Sequence, residues 1–175
     1  MISSARIPAA LTALALLWFA PRAWSDDLPE YRLKAAVLYN FVAFTEWPSE
    51  VGPTLNLCIL GKDPFGADLD SFQGRPVGAR HLAVHRTSGV ESLNDCQIVF
   101  IASSATGSLS NALAHLRGVP ALTVADSLGA AALGVALNMN IVNNKITFEA
   151  NLAAARGAGL NLSSKLLRLA TEVRQ

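Results

Sequence analysis

The stretch from Lys145 to Ala170, KITFEANLAAARGAGLNLSSKLLRLA, contains the residue types that catalytic sites use. They are Glu149, Asn151, Ser163, Ser164 and Lys165. An acid, an amide, two hydroxyls and an amine would suit acid–base or nucleophilic chemistry if the fold assembled them. No histidine and no second acid lies near them in sequence, so the set lacks the partner that would activate a nucleophile.

Each polar residue of this stretch also has a structural interpretation. Asn151 stands where a predicted strand gives way to a helix, which is a natural N-cap position. Gly157 and Gly159 would end that helix and turn the chain, and Ser163 or Ser164 would cap the next helix. The pattern favours architecture over catalysis, and we expect no catalytic residue and no enzymatic activity.

Histidines and serines elsewhere also fail to form a recognisable catalytic or metal site. His81 and His85 lie four residues apart on a predicted strand, which separates them by about 13 Å, too far to bind one metal ion. The chain has no HExxH or CxxC motif, and we predict no metal and no cofactor. Ser103 and Ser104 follow a strand without the glycines of a nucleophile elbow. A small-molecule pocket at this edge of the sheet is the alternative there.

The first 25 residues have the pattern of a secretory signal. An early arginine precedes the apolar run AALTALALLWFA, and Ala23-Trp24-Ser25 places small residues before Asp26. We predict a signal peptide over residues 1–25, with cleavage between Ser25 and Asp26; a short N-terminal membrane anchor is the alternative. Residues 26–175 would then form one domain located in the periplasm.

Signal removal also changes the charge. The whole chain has a formal net charge of +1. Loss of Arg6 and Arg22 leaves twelve basic and thirteen acidic residues, a net charge of −1. A near-neutral chain without a basic run gives no support for nucleic-acid binding.

The two cysteines, Cys58 and Cys96, lie in the apolar segments LNLCIL and DCQIVFIA. An exported protein meets an oxidising compartment, where a pair of cysteines favours a bridge. Two buried, unbridged thiols are the alternative.

Hydrophobic periodicity predicts a helix over residues 28–44 with an apolar stripe of Leu33, Val37, Phe41 and Phe44. Ala36, Asn40 and Ala43 form a second face of smaller residues, so we expect this helix to pack on two sides. Apolar runs then predict four strands separated by short helices, a hairpin turning at Asn143-Asn144, and two closing helices. The strands are 55–60, 80–86, 97–102 and 121–125; the intervening helices 64–72 and 108–116; the closing helices 152–156 and 164–173. This order predicts a single three-layer α/β domain whose mainly parallel sheet ends in an antiparallel hairpin, with helices on both faces.

Two segments at opposite ends of the predicted domain resemble the YfiR-like family of periplasmic proteins. These are KAAVLYNFVAFTEWP (34–48) and ITFEANLAAARGAGLNLSSKLLRLA (146–170), with LNLCILG, DCQIVFIA and ALTVADS between them. The resemblance spans residues 31–170. It implies a compact α/β domain with a disulfide between Cys58 and Cys96. The best-known member has a second cysteine pair, which this chain lacks, so a second redox-sensing bridge is not available here.

The resemblance also implies a function. Its best-known member is a non-catalytic repressor that binds the periplasmic sensor region of an inner-membrane diguanylate cyclase and lowers cyclic-di-GMP synthesis, which controls biofilm formation. An outer-membrane lipoprotein is the releasing partner in that system, and a homodimer is a further expectation. The alternative is a periplasmic small-ligand-binding module that serves another sensor or an uptake system. An enzyme is the third hypothesis, and a pocket with clustered, perturbed titratable groups would favour it.

The sequence offers no charge pattern for electrostatic steering, so a partner contact should depend on apolar and aromatic side chains with a polar rim. We predict this surface on the outer side of the first helix, around Tyr39 and Trp47. We also predict it on the loop Gly157–Ser163, which includes Asn161, together with the start of the last helix. The alternative for the two aromatic residues is that they pack in the core.

Overall fold

The structure, a computed structural model, describes residues 27–175, with side chains from residue 30 onward. The predicted signal peptide and its cleavage site between Ser25 and Asp26 lie outside the described residues. They remain predictions, and so does the domain boundary at Asp26.

The described chain contains five α-helices and ten strands. The helices are α1 (Asp27–Ala43), α2 (Ala67–Asp70), α3 (Leu109–His115), α4 (Leu152–Gly157) and α5 (Ser164–Leu167). The strands are β1 (Thr45–Glu46), β2 (Thr54–Leu60), β3 (Pro76–Val77), β4 (Arg80–Thr87), β5 (Ile98–Ile101), β6 (Leu122–Ala125), β7 (Leu137–Val142), β8 (Lys145–Asn151), β9 (Asn161–Leu162) and β10 (Glu172–Arg174). Two 3-10 helices, Val90–Leu93 and Ser103–Ser108, lie on either side of β5.

Eight strands form one sheet in the order β10-β8-β7-β6-β5-β2-β4-β3. In this order, the five neighbouring strands β4, β2, β5, β6 and β7 are parallel to one another, and β7 and β8 form the predicted antiparallel hairpin. Its turn places Asn143 and Asn144 at φ values of +50° and +60°, which asparagine tolerates better than most residues. The predicted α/β fold is confirmed.

The central strands are buried on both faces, as their continuous apolar runs predict. Leu57, Ile59 and Phe100 belong to a core under α1, α2, α4 and α5. Leu60 and Val99 face the opposite side, where they pack with buried residues of α3. Helices therefore cover both faces of the sheet, in three layers.

A disulfide joins Cys58 to Cys96, with their Cα atoms 5.9 Å apart. It connects β2 to the segment that enters the neighbouring strand β5. Both cysteines are buried on the α3 side of the sheet, and the structure has no free cysteine in its described part.

The predicted buried stripe of α1 was half right: Phe41 is buried and Val37 is half-buried against the core, whereas Leu33 and Phe44 are exposed. The predicted packing of the second face was wrong, because Ala36, Asn40 and Ala43 are exposed. Besides Phe41, the helix buries Ala35, Leu38 and Val42. Both sets of residues have helical spacing, so periodicity alone does not choose between them. The sheet makes the choice through specific contacts, among them an edge-to-face packing of Phe41 on Phe148.

The predicted C-terminal helix was also wrong beyond its first turn. The helix α5 ends at Leu167, and the chain continues as β10, which pairs in parallel with β8. The Thr171 N–H donates to the Phe148 carbonyl at the start of this pairing. Without β10, the backbone N–H and C=O groups along the outer edge of β8 would be unpaired. The free energy gained by pairing them outweighs the helical preference of a short segment.

Candidate functional site

One face of α1 is apolar and open to solvent. This outer face of α1 consists of the exposed Leu33, Ala36 and Asn40, the half-buried Val37, and Phe44, which directly follows the helix. Leu33 is 59% exposed and Phe44 is 39% exposed. A surface helix of a globular protein normally presents charged or polar residues to water, whereas this face includes no charged residue; Arg32, whose side chain is 75% exposed, lies at its edge, one turn before Ala36. Exposed large apolar side chains on one side of a helix make this face a candidate interaction site.

The outer face of α1 ends beside a small two-stranded sheet. Its strands β1 and β9 pair Thr45 with Leu162 and Glu46 with Asn161. The Asn161 side-chain amide donates to Glu46 Oε2 over 2.8 Å, and the Ser163 N–H donates to the Phe44 carbonyl over 3.0 Å. These contacts hold exposed polar groups next to the aromatic end of the face.

Two of the predicted surface residues also have structural contacts. The Tyr39 hydroxyl donates to the Pro76 carbonyl over 2.7 Å, and its ring packs on Phe72 beneath the Arg75 guanidinium. Trp47 is half-buried against the core. Ser163 accepts a hydrogen bond from the Leu166 N–H and so caps α5. The structure thus places Trp47, Asn161 and Ser163 near one end of the outer face, and Tyr39 on a flank of α1.

A cluster of ionised groups lies between the inner side of α1 and the end of β6. Asp126 Oδ2 accepts hydrogen bonds from Lys34 Nζ over 2.8 Å and from the Tyr31 hydroxyl over 3.0 Å. Lys34 Nζ also forms an ion pair with Glu30 and lies 4.5 Å from the centroid of the Tyr31 ring. The side chains of Lys34 and Asp126 are only 5% and 2% exposed. Removing either partner of such a buried ion pair would leave an unpaired buried charge, which strongly destabilises the folded protein.

The electrostatics of this cluster favour binding and positioning rather than base catalysis. Burial alone would lower the pKa of Lys34, but hydrogen bonds to Asp126 and Glu30 outweigh burial and raise it. Burial, followed by the negative charge of Asp126, raises the pKa of Tyr31 to about 12. A general base works best with a pKa near the operating pH, so neither group is prepared for that role at neutral pH.

The cluster borders a cleft of about 360 Å³ at the carboxyl ends of β5 and β6 and beside β7. Ser103 and Asn140 add polar groups to its lining, and Leu128, Met139 and Ile141 form its apolar side. Asp126 Oδ1 is buried and has no hydrogen-bond partner among the described residues. Parallel α/β sheets commonly bind ligands at this edge.

The stretch that resembled a catalytic site serves the fold. Asn151 accepts a hydrogen bond from the Ala154 N–H and caps α4, as predicted. Glu149 accepts one from the Asn140 side chain over 3.1 Å. The histidines are separate: His81 contacts Thr54 and His85 contacts Asn56. Within residues 30–175, no group of three or more metal-ligating side chains comes together.

The ionic cluster was not predicted from the sequence. Lys34 stands in an apolar helical segment four residues after Glu30, and Asp126 directly follows a buried strand. An acid at the carboxyl end of a parallel strand is a signal of a binding edge. The sequence does not show that Lys34 faces inward, because that depends on the rotation of α1.

The family comparison covers most of the described chain. The model of the YfiR/HmsC-like family matches residues 31–171. The chain belongs to the YfiR/HmsC-like family. Membership supports a regulatory role in the periplasm in general terms, and the matched range includes both the outer face of α1 and the ionic cluster. Among residues 27–175, no helix has the length and apolar character needed to cross a membrane.

Solved structures resemble the fold at very low sequence identity. One is a conserved domain protein from Vibrio cholerae, with a TM-score of 0.56 and 6% identity, covering 82% of this chain and 60% of that one. Another is an ABC domain in complex with L-Trp from Streptococcus pneumoniae, with a TM-score of 0.52 and 6% identity, covering 82% and 61%. The chain thus spans about 60% of each of these structures, and the likeness concerns the fold alone.

Proposed function

We propose that the protein represses an inner-membrane diguanylate cyclase by binding the periplasmic sensor region of that enzyme. Family membership supports a regulatory role. The exposed apolar side chains on the outer face of α1 are the structural observation that supports contact with a protein partner. The proposal also rests on export through the predicted signal peptide.

The proposed contact centres on Leu33 and Phe44. Since this face includes no charged side chain, association would gain free energy mainly from apolar burial, on the order of 25 cal/mol per Å². Asn161 and Ser163 would lie at the polar rim, where hydrogen bonds set the orientation of the partner, and Trp47 would add aromatic surface. Tyr39 is a second candidate contact on the flank of the helix.

Repression requires that the protein bind one state of the cyclase sensor better than another, because a ligand shifts an equilibrium only by its differential affinity. An outer-membrane lipoprotein that competes for the same face would release the cyclase. A homodimer through the outer face of α1 would compete with the cyclase in the same way.

The proposal is tested by deleting the gene in a strain that expresses the partner cyclase and lacks the releasing lipoprotein. We expect cellular cyclic-di-GMP and biofilm formation to rise, and expression of the exported protein to reverse both effects. An unchanged cyclic-di-GMP level would contradict repression and favour a ligand-binding module that serves another system.

A further inference from the structure

We propose that the solvent side of α1 receives one amphipathic helix of the partner protein, packed along α1 as in a coiled coil, with an acidic side chain of that helix on Arg75. This inference rests on the proposed function, since it describes the part of the partner that would bind. Its test uses the purified protein and defined peptides, so it can fail separately from cyclase repression.

The first argument is the spacing of the exposed positions on α1. Leu33, Ala36, Asn40 and Ala43 follow one another at intervals of three, four and three residues, and all four are exposed. This is the a-d-a-d pattern of a coiled-coil seam, with a single polar residue at an a position. The seam spans about 15 Å of helix, and no described residue buries it.

The second argument is the size of the side chains along the seam. Ala36 and Ala43 are small, whereas Leu33 and Tyr39 on either side of them are large, and Tyr39 lies about one turn from each alanine. The alanines therefore form the floor of a shallow groove along the helix axis. A second helix can place a ridge of side chains in such a groove. A strand gains nothing there, because the backbone groups of α1 are already bonded within the helix.

The third argument is a cation beside the groove. The Arg75 guanidinium lies 4.3 Å from the centroid of the Tyr39 ring and 5.0 Å from that of Phe72, and Arg75 is exposed. Within residues 30–175 it forms no ion pair. The two rings hold the guanidinium in place, and a guanidinium binds a carboxylate through paired hydrogen bonds. An acidic residue on the flank of the incoming helix matches this position.

A second copy of this chain fits the groove less well. Antiparallel packing of two α1 helices about Tyr39 would bring their Arg75 guanidiniums towards each other, and like charges oppose association. Parallel packing would offer Arg75 no acid, because the positions across the seam would be Val37 and Phe44. A partner helix with an acidic flank avoids both problems.

The test uses three helical peptides of three heptads each, with leucine at a and d, one central asparagine at a, and a staple joining the outer positions b and f. The first has glutamate at e and g, the second has lysine there, and the third scrambles the order of the first. Fluorescence anisotropy with the purified protein, expressed from the whole sequence, should show saturable binding of the glutamate peptide. The lysine peptide should bind several-fold more weakly, and the scrambled peptide should not bind. No saturable binding of the glutamate peptide, or equal binding of either other peptide, would overturn the proposal.

Two substitutions locate the site. Ala43→Arg fills the groove and should weaken binding of the glutamate peptide at least about tenfold. The matched control is Ala114→Arg, at an exposed alanine of α3 on the opposite side of the sheet, which should bind as the wild-type protein does. Arg75→Glu should weaken binding of the glutamate peptide and strengthen that of the lysine peptide, a pair of opposite changes that misfolding cannot produce. Equal binding by the Ala43→Arg and Ala114→Arg proteins would contradict the assignment.

The oligomeric state separates the two occupants of the groove. Size-exclusion chromatography with light scattering should find a monomer. A wild-type dimer that Ala43→Arg converts to a monomer would place a second copy in the groove and overturn the proposal. Repression in cells by a protein that binds none of the peptides would leave the proposed function standing and overturn the helix. Peptide binding by a protein whose deletion leaves cyclic-di-GMP unchanged would support the helix and contradict repression.

Discussion

The two faces of α1 are similar in sequence but opposite in environment. The inner face buries Ala35, Leu38, Phe41 and Val42 and includes one charged residue, Lys34, which Asp126 neutralises. The outer face of α1 is also apolar but stays open to solvent. Burial in the core explains why the inner face is apolar, whereas folding does not explain why the exposed outer face is apolar. We therefore assign stability to the inner face and partner binding to the outer face.

The largest expected effect on stability comes from Lys34 on the inner face. Lys34→Met leaves the buried Asp126 carboxylate without its cation, which should lower the free energy of unfolding by about 3–5 kcal/mol. Urea denaturation followed by circular dichroism measures this loss. The double variant Lys34→Met/Asp126→Leu should recover most of it, because no unpaired buried charge remains. A double variant as unstable as the single one would argue against the ion-pair explanation.

The disulfide lies outside α1, so its effect on stability can be compared with the effects of the two faces of α1. Replacing Cys58 and Cys96 together by serine opens a loop with a sequence separation of 38 residues, which should lower stability by up to about 4 kcal/mol on the chain-entropy model. Denaturation midpoints with and without reductant should show the same loss in the wild-type protein. Since the bridge lies on the α3 side of the sheet, the folded variant should still repress. Free thiols in unreduced, denatured wild-type protein would contradict the bridge.

Leu38 and Leu33 provide a matched pair on one helix. Leu38 is fully buried and Leu33 is exposed. Leu38→Ala should therefore lower the free energy of unfolding by about 2–5 kcal/mol, while Leu33→Ala should change it by less than about 0.5 kcal/mol. Chemical denaturation of the two purified variants measures the difference. Similar losses would mean that both faces of α1 are packed in solution.

Alkaline pH should produce a smaller effect through the inner face. The folded protein raises the pKa of both Lys34 and Tyr31, so it binds these protons more tightly than the unfolded chain does. Their contribution to stability is fully present below about pH 10 and is lost as pH rises through the raised pKa values. Denaturation midpoints should fall between about pH 10 and pH 12, and Tyr31→Phe should reduce that fall. An unchanged pH dependence in Tyr31→Phe would contradict the role of this hydroxyl.

The central strands, the hairpin and the helix caps were predictable because their causes are local. Continuous apolar runs gave the central strands, and Asn143-Asn144 suits the turn conformation at that position. The rotation of α1 and the strand β10 were not predictable, because both depend on contacts distant in sequence. Lys34 meets Asp126 across 92 positions, and Thr171 meets the edge of β8. The ionic cluster escaped prediction for the same reason, since its members belong to two separate segments.

The central claim is that the outer face of α1 binds the partner and does little for folding. The most direct test is the cyclic-di-GMP level of a deletion strain that expresses either Leu33→Glu or Leu133→Glu, with folding checked by denaturation. Leu133 is 63% exposed and lies in the turn beside α3, so it is a control of the same chemistry. We predict that both proteins fold with near wild-type stability, that Leu133→Glu restores low cyclic-di-GMP, and that Leu33→Glu does not. Full repression by a folded Leu33→Glu protein would contradict the account.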